Sequence, residues 1–356
     1  MKKARGAPKK VRRPLECFGA PLCLVAIKEL LPLAKRVAKR ICKAAGIGRG
    51  SLKPVVFDQK FFADGELMSR KPLNAAFGNS RVIYLDCPRF PTINDGIMNT
   101  VLTLDAIGGT GAGAITHIPL YFPYARQDKR KPGEPLSWVR VAKMMRDATR
   151  RLDRIIVVEL HTEQHEGVFD GLRFSQMRGH RIFAEYFAPK YRRRAKKCVV
   201  VSPDAGGVGR AEKFAAKLFP GAGMEVGHMT KRRPNDNVTE TISYTGTEEL
   251  AGKTIFLYDD MIDTGGTIAG SAKLLKSRGA KKVVAVAMHG LFNNTALEDM
   301  RANGVDEVVV SESIPRAKEW LAKEKKFVTI VPLDNIIAKV IIEQQRVGGS
   351  ATSLFV

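Results

Sequence analysis

The sequence predicts an α/β protein of two similar halves, each a mostly parallel sheet flanked by helices. Three observations carry this expectation. Short β-branched runs alternate with helix-length amphipathic stretches along most of the 356 residues. Several of those runs are continuously apolar, as strands buried on both faces of a parallel sheet must be. The alternation also occurs twice, from about Leu15 to beyond Phe169 and again from about Lys197 to Pro332, without any short solenoid-like repeat.

In chain order, strands are expected at 81–86, 115–122, 154–160, 197–203, 254–259, 282–288, 306–311 and 327–331. Helical patterns lie between them at 94–107, 137–152, 211–219, 267–279 and 295–302, with a last one at 335–345. The stretch 178–194 is charged and contains no clear strand, so a boundary is expected within 170–195. The organisation is then a basic extension (1–14), an N-terminal unit (15–177), a C-terminal unit (178–345) and a short tail (346–356).

Composition narrows the partners. Hydrophobic residues make up 44% of the chain, which excludes a wholly disordered protein. No run approaches the ~18 apolar residues of a spanning helix. Lys and Arg number 59 against 36 Asp and Glu, a net charge of +23. That excess points to nucleic acid, an anionic membrane or phosphorylated small molecules. The first 50 residues hold 14 of the cations and only two acids, Glu16 and Glu29, so about half the excess sits in the first seventh of the chain. The densest part, residues 1–14, reads as a solvated extension; the sharper readings are a nuclear or organellar address or a polyanion-binding arm. It lacks the apolar core of a secretory signal. Five cysteines without a CxxC pair argue against a disulfide scaffold or a zinc site and for a reducing compartment.

Three decoys are set aside on context. His161 and His165 stand four apart, but the zincin motif needs Glu directly after the first His, and Thr162 is there. Gly109-Thr110-Gly111-Ala112-Gly113-Ala114 fits a dinucleotide fingerprint yet precedes a strand instead of following one. Gly246…Gly252-Lys253-Thr254 resembles a phosphate loop with one residue too many, and it too enters a strand.

The strongest signal is Ile255-Phe256-Leu257-Tyr258-Asp259-Asp260-Met261-Ile262-Asp263-Thr264-Gly265-Gly266-Thr267. A buried strand ends in two carboxylates, and a Gly-rich turn then opens a helix. Asp263 and Thr264 are expected to cap that helix, while the two glycines let backbone N–H groups close round an anion. Carboxylates beside such a nest suit vicinal hydroxyls, so the segment reads as a sugar-phosphate site.

These residues resemble the ribose-phosphate loop of type I phosphoribosyltransferases and of ribose-phosphate pyrophosphokinases. Other segments resemble the pyrophosphokinases specifically. Tyr121-Phe122-Pro123-Tyr124-Ala125-Arg126-Gln127-Asp128-Lys129 is similar to their ATP-contacting loop, and Phe62-Ala63-Asp64-Gly65-Glu66 to their adenine-contacting loop. Val158-Glu159-Leu160-His161 and Val201-Ser202-Pro203-Asp204-Ala205-Gly206-Gly207 resemble their two metal-associated strand ends, and Lys231-Arg232-Arg233-Pro234-Asn235 their catalytic loop. The match runs in consistent order from about Leu15 to Pro332.

The resemblance implies two phosphoribosyltransferase-like domains and a Mg²⁺-dependent transfer of the β,γ-pyrophosphoryl group of ATP to the anomeric hydroxyl of ribose 5-phosphate. It implies Lys231, Arg126 and Arg233 as catalytic cations, and His161 and Asp204 as metal-side residues. Phe62, Asp64, Gly65, Glu66, Arg126, Gln127, Asp128 and Lys129 would contact ATP. Arg233, Asp259, Asp260, Asp263, Thr264, Gly265, Gly266 and Thr267 would hold ribose 5-phosphate. It further implies a cytoplasmic homo-oligomer built from dimers, up to a hexamer, with no membrane partner; nucleic acid is left to the basic tail alone.

Two departures stand out. Glu159 occupies a position where the family usually has Asp, one methylene shorter. The stretch after Asp128 lacks the usual Lys-Ser-Arg-x-Pro pattern and is one residue shorter, so phosphate activation and ADP allostery are not carried over. The rival readings are a non-catalytic regulatory subunit of the same family, a phosphoribosyltransferase that consumes the diphosphate, and a nucleic-acid-binding regulator on this fold.

Overall fold

The computed structural model describes residues 21–48, 50–72, 75–232 and 241–345. Residues 1–14, 346–356 and Arg233 therefore lie outside the described residues.

The first half runs through β1 (Leu22–Ala26), α1 (Leu31–Ala45), β2 (Val55–Val56), the small hairpin β3 (Asp58–Phe61) and β4 (Leu67–Arg70), and β5 (Arg81–Asp86). It continues with α2 (Ile93–Gly109), β6 (Ala114–Pro119), α3 (Ser137–Asp147), β7 (Leu152–Val158) and β8 (Arg173–Met177). Six of these strands form a wholly parallel sheet in the order β2-β1-β5-β6-β7-β8.

The second half comprises α4 (Gly179–Tyr191), β9 (Cys198–Ser202), α5 (Val208–Leu218), β10 (Gly227–Arg232), β11 (Thr241–Thr245), β12 (Thr254–Ile262) and α6 (Gly266–Ser277). After it come β13 (Lys282–Gly290), α7 (Ala296–Ala302), β14 (Glu307–Ser311), α8 (Lys318–Glu324), β15 (Val328–Val331) and α9 (Asp334–Gln345). Its sheet has the order β11-β10-β9-β12-β13-β14-β15, parallel except for β10 with β11.

The α/β architecture with two mostly parallel sheets is as the sequence predicts. Central strands carry long apolar runs: Val199, Val200, Val201, Val284 and Val286 are fully buried. Elements not anticipated include α4, β10, β11 and α8, and two others whose pattern is diluted. β8 is an edge strand whose outer residues are polar, with Arg173 exposed and Ser175 half-buried, so it carries no apolar run. α1 buries Leu33, Ala34, Val37, Ala38 and Ile41 at helical spacing, but its outer face is so basic that it merges with the charged start of the chain. Gly109 and Gly252 do connect into strands, as their context requires.

Helix α1 packs on α9, and Arg36 with Glu312 and Arg40 with Asp334 form ion pairs between the halves. No helix among the described residues is long and apolar enough to cross a membrane. In the second sheet the chain leaves β9 toward β10 on one side and β12 toward β13 on the other. The carboxyl ends of β9 and β12 therefore flank a topological switch point, where α/β sheets open a crevice.

Candidate active site

The crevice is built around the end of β12. Pairing with β13 continues through Met261↔His289 and Ile262↔Gly290, so Asp259 and Asp260 lie inside the strand, not at its end as the sequence suggests. Asp260 is buried, and its Oδ2 lies 2.8 Å from His161 Nδ1. Arg210 Nη1 donates to Asp259 Oδ1 at 3.1 Å and to Asp260 Oδ1 at 3.3 Å, while its Nη2 donates to the His161 carbonyl at 3.0 Å. Two adjacent carboxylates in a low dielectric repel, and these donors divide them. Burial works against an ionised Asp260, but the His161 hydrogen bond and the Arg210 charge outweigh it and hold the group below the usual carboxylate range. Burial and the neighbouring Asp260 push Asp259 well up. The hydrogen bond to Asp260 raises the His161 imidazole. The side chain of Asp259 is 19% exposed against 4% for Asp260, so Asp259 is the member of the pair that presents more of its carboxylate to the crevice.

The turn that follows corrects another expectation. No side chain caps α6; its N-cap is Gly265, in the left-handed region at φ 75°. A Cβ there would meet the Ala296 carbonyl oxygen at 3.0 Å, so glycine is demanded twice over. The Asp263 carboxylate instead accepts from Asn293 Nδ2 at 2.6 Å and pairs with Arg126. Asn293 is held in turn by Arg89 Nη2, at 3.1 Å from its Oδ1. With no side chain folded over it, the start of α6 faces the cavity with its first-turn N–H groups, which lack intrahelical acceptors.

A cavity of about 450 Å³ is lined by residues from both halves: Arg126, Asp128, Lys129 and His161 from the first, and Asp204, Asp259, Asp260 and residues 263–267 from the second. Asp204 follows β9, and its Oδ1 accepts the N–H of Gly207 at 2.8 Å. Gln127 turns into a neighbouring recess with Asn94, Tyr121 and Tyr124. Phe62, Asp64, Gly65 and Glu66 form the exposed tip of the β3–β4 hairpin and do not line the cavity. Lys231 has its backbone in β10, opposite Ile242.

Arg210, Asn293 and Arg89 are absent from the sequence reading. Arg210 had a signal: a cation in the first turn of a helix opposes the helix dipole and needs a compensating partner. Asn293 and Arg89 had none, since each works through a residue far away in the chain.

Among the described residues no three His, Cys, Asp or Glu side chains are grouped to hold a metal ion. Mg²⁺ keeps much of its water and binds through a few oxygen ligands plus substrate phosphates. Asp204, with Oδ2 left over, offers one such oxygen, and His161 lines the same cavity with Nδ1 engaged and Nε2 left over.

Comparisons with known proteins identify the family. Residues 22–148 match the family model described as the N-terminal domain of ribose phosphate pyrophosphokinase, and residues 175–322 match the phosphoribosyl transferase domain. The ribose-phosphate pyrophosphokinase of Corynebacterium efficiens is 37% identical over 295 residues, covering 83% of this chain and 86% of that one. The one from Mycobacterium leprae is 34% identical over 324 residues, with 91% and 92% covered. The crystal structure of phosphoribosylpyrophosphate synthetase from Mycobacterium smegmatis superposes with a TM-score of 0.73 at 32% identity, covering 90% of this chain and 97% of that one.

Proposed function

Because the chain belongs to the ribose-phosphate pyrophosphokinase family and is an enzyme of that class, we propose that it transfers the β,γ-pyrophosphoryl group of ATP to the anomeric hydroxyl of ribose 5-phosphate. The products are 5-phosphoribosyl 1-diphosphate and AMP. One observation carries the proposal: a single cavity joins an uncapped, glycine-cornered helix start to Asp259 on one side and to Arg126, Lys129, His161 and Asp204 on the other. That is a sugar-phosphate cradle beside a polyphosphate cradle.

In this reading the 5-phosphate sits on the N–H groups of residues 264–267, and Asp259 accepts from the ribose hydroxyls. Asp260 is buried and committed to His161 and Arg210, so its part is to hold the floor of the site. The anomeric oxygen attacks the β-phosphorus of ATP, and the bond from that phosphorus to the oxygen of the α-phosphate breaks. In-line positioning and cations near the developing charge supply most of the acceleration. Arg126 and Lys129 face that region, and Lys231 and Arg233 are proposed to join them. Mg²⁺, held from the His161 and Asp204 side, would neutralise the polyphosphate when bound. The hairpin residues Phe62, Asp64 and Glu66 and the recess at Gln127 are proposed for the adenosine. Assembly into homo-oligomers belongs to the proposal, and the exposed Phe61 is part of a surface such assembly would cover. The halves are proposed to divide at 177/178, where β8 ends in the first sheet and α4 begins against α5.

The test is AMP formation from Mg²⁺-ATP with and without ribose 5-phosphate. AMP that appears only when both are present is the expected result. Its absence from pure, folded protein would return the chain to a regulatory role.

A further inference from the structure

Glu159 lies one residue past β7 and two before His161, yet it does not line the cavity that holds Asp259 and Asp260. Its carboxylate is buried and turned toward the start of α4. Oε2 accepts the N–H of Gly179, the first residue of that helix, whose N-cap residue Arg178 makes no side-chain cap of its own. Oε1 stands 3.7 Å from Arg210 Nε. Arg210 directs its other N–H groups to Asp259, Asp260 and the His161 carbonyl. One buried acid therefore stands behind the cation that organises the whole carboxylate cluster.

The backbone supports the same function. Glu159 is in the left-handed region at φ 40°, a conformation that costs free energy in a residue with a Cβ. It is held there from two sides: its N–H donates to the Met177 carbonyl at 2.9 Å, and its carbonyl accepts from His289 Nε2 at 3.2 Å. Space for the carboxylate comes from Gly179. A Cβ on that residue would stand 3.1 Å from Glu159 Oε2 and 3.0 Å from the Tyr258 hydroxyl.

We propose that Glu159 is a positioning residue for the transfer, acting through Arg210, and that Gly179 is matched to it because a residue without Cβ leaves room for the glutamate carboxylate. The inference rests on the function proposed above.

The experiment is a double-mutant cycle on the full chain with Glu159→Gln and Arg210→Ala. It reads AMP formation, ribose 5-phosphate binding by calorimetry and thermal unfolding on all four proteins. Each single variant is expected to lower kcat/KM by about tenfold or more, with the double variant within about twofold of Arg210→Ala alone. Defects that multiply in the double variant overturn the proposal. Gly179→Ala leaves every charge in place and covers the case in which Glu159→Gln does not fold. It should lower kcat/KM, and adding Glu159→Asp, which draws the carboxylate back by one methylene, should restore part of the loss. Wild-type activity in Gly179→Ala, or a further loss on adding Glu159→Asp, overturns the pairing. Wild-type protein that forms no AMP would refute the proposed reaction, while the binding arm of the cycle still reports on Glu159.

Discussion

His161 and Asp260 are 99 residues apart in the chain and 2.8 Å apart in the fold, Nδ1 to Oδ2. The contact joins the end of a strand in the first sheet to a strand of the second. It also fixes the imidazole, since an engaged Nδ1 leaves Nε2 as the atom that meets a ligand.

Asp260→Asn removes the charge that His161 and Arg210 share and leaves a largely buried guanidinium undercompensated. Stability should fall by about 3 kcal/mol, read from urea unfolding, and AMP formation should collapse with it. Wild-type stability would mean that Arg210 is neutralised elsewhere.

Arg126→Ala should separate catalysis from folding. The Arg126 side chain is 55% exposed, so its pair with Asp263 is worth no more than about 1 kcal/mol. Turnover should nevertheless drop about 100-fold or more if this cation meets the transferring phosphates. Near-normal AMP formation in a coupled assay would remove Arg126 from the catalytic set.

Neighbouring glycines of the α6 turn should respond differently. Gly265→Ala places a Cβ at positive φ and against the Ala296 carbonyl, and should cost about 1–2 kcal/mol. At Gly266 a Cβ meets nothing within 4 Å, so thermal unfolding of Gly266→Ala should stay near wild type. The KM for ribose 5-phosphate should rise in Gly265→Ala, because a displaced turn misplaces the N–H groups of the cradle. Equal unfolding temperatures for the two variants would contradict the strained-turn argument.

Acid should destabilise the protein partly through His180. Burial above all, then the nearby Arg178 and Lys213 charges, pushes this imidazole down to about 4. The unfolded chain protonates its histidine near pH ~6.5, so between that value and about 4 the unfolded state binds more protons. The stabilising contribution is complete above the upper limit and is lost as pH falls through the window. His180→Gln should flatten the pH dependence of the urea midpoint there, by at most about 1.4 kcal/mol per pH unit. An unchanged slope would show that other groups dominate.

Most of the second sheet was readable because its central strands carry long apolar runs and its helices keep a 3.6-residue period. The edges were not. β8 and the β3–β4 hairpin carry polar residues on open faces, and β1 is a short run beside a strongly basic segment. In the site, Asp259 and residues 263–267 stood out because strand, turn and helix follow one another within a few residues, whereas Asp204 was marked only by the resemblance of its loop to a metal-associated strand end. The proposed capping by Asp263 failed because a stronger partner, Arg126, approaches from 137 residues away.

By itself the sequence determined the fold class and the Gly265-Gly266 corner. These follow from local patterns, where residue type and spacing decide the outcome. Only the tertiary structure decided how the charges are shared: Arg210 between Asp259, Asp260 and Glu159, and His161 against Asp260. The physical reason is burial. Removing water strengthens every ionic contact and penalises every unpaired charge, so the partners are selected by the three-dimensional packing of strand ends, about which spacing along the chain says nothing.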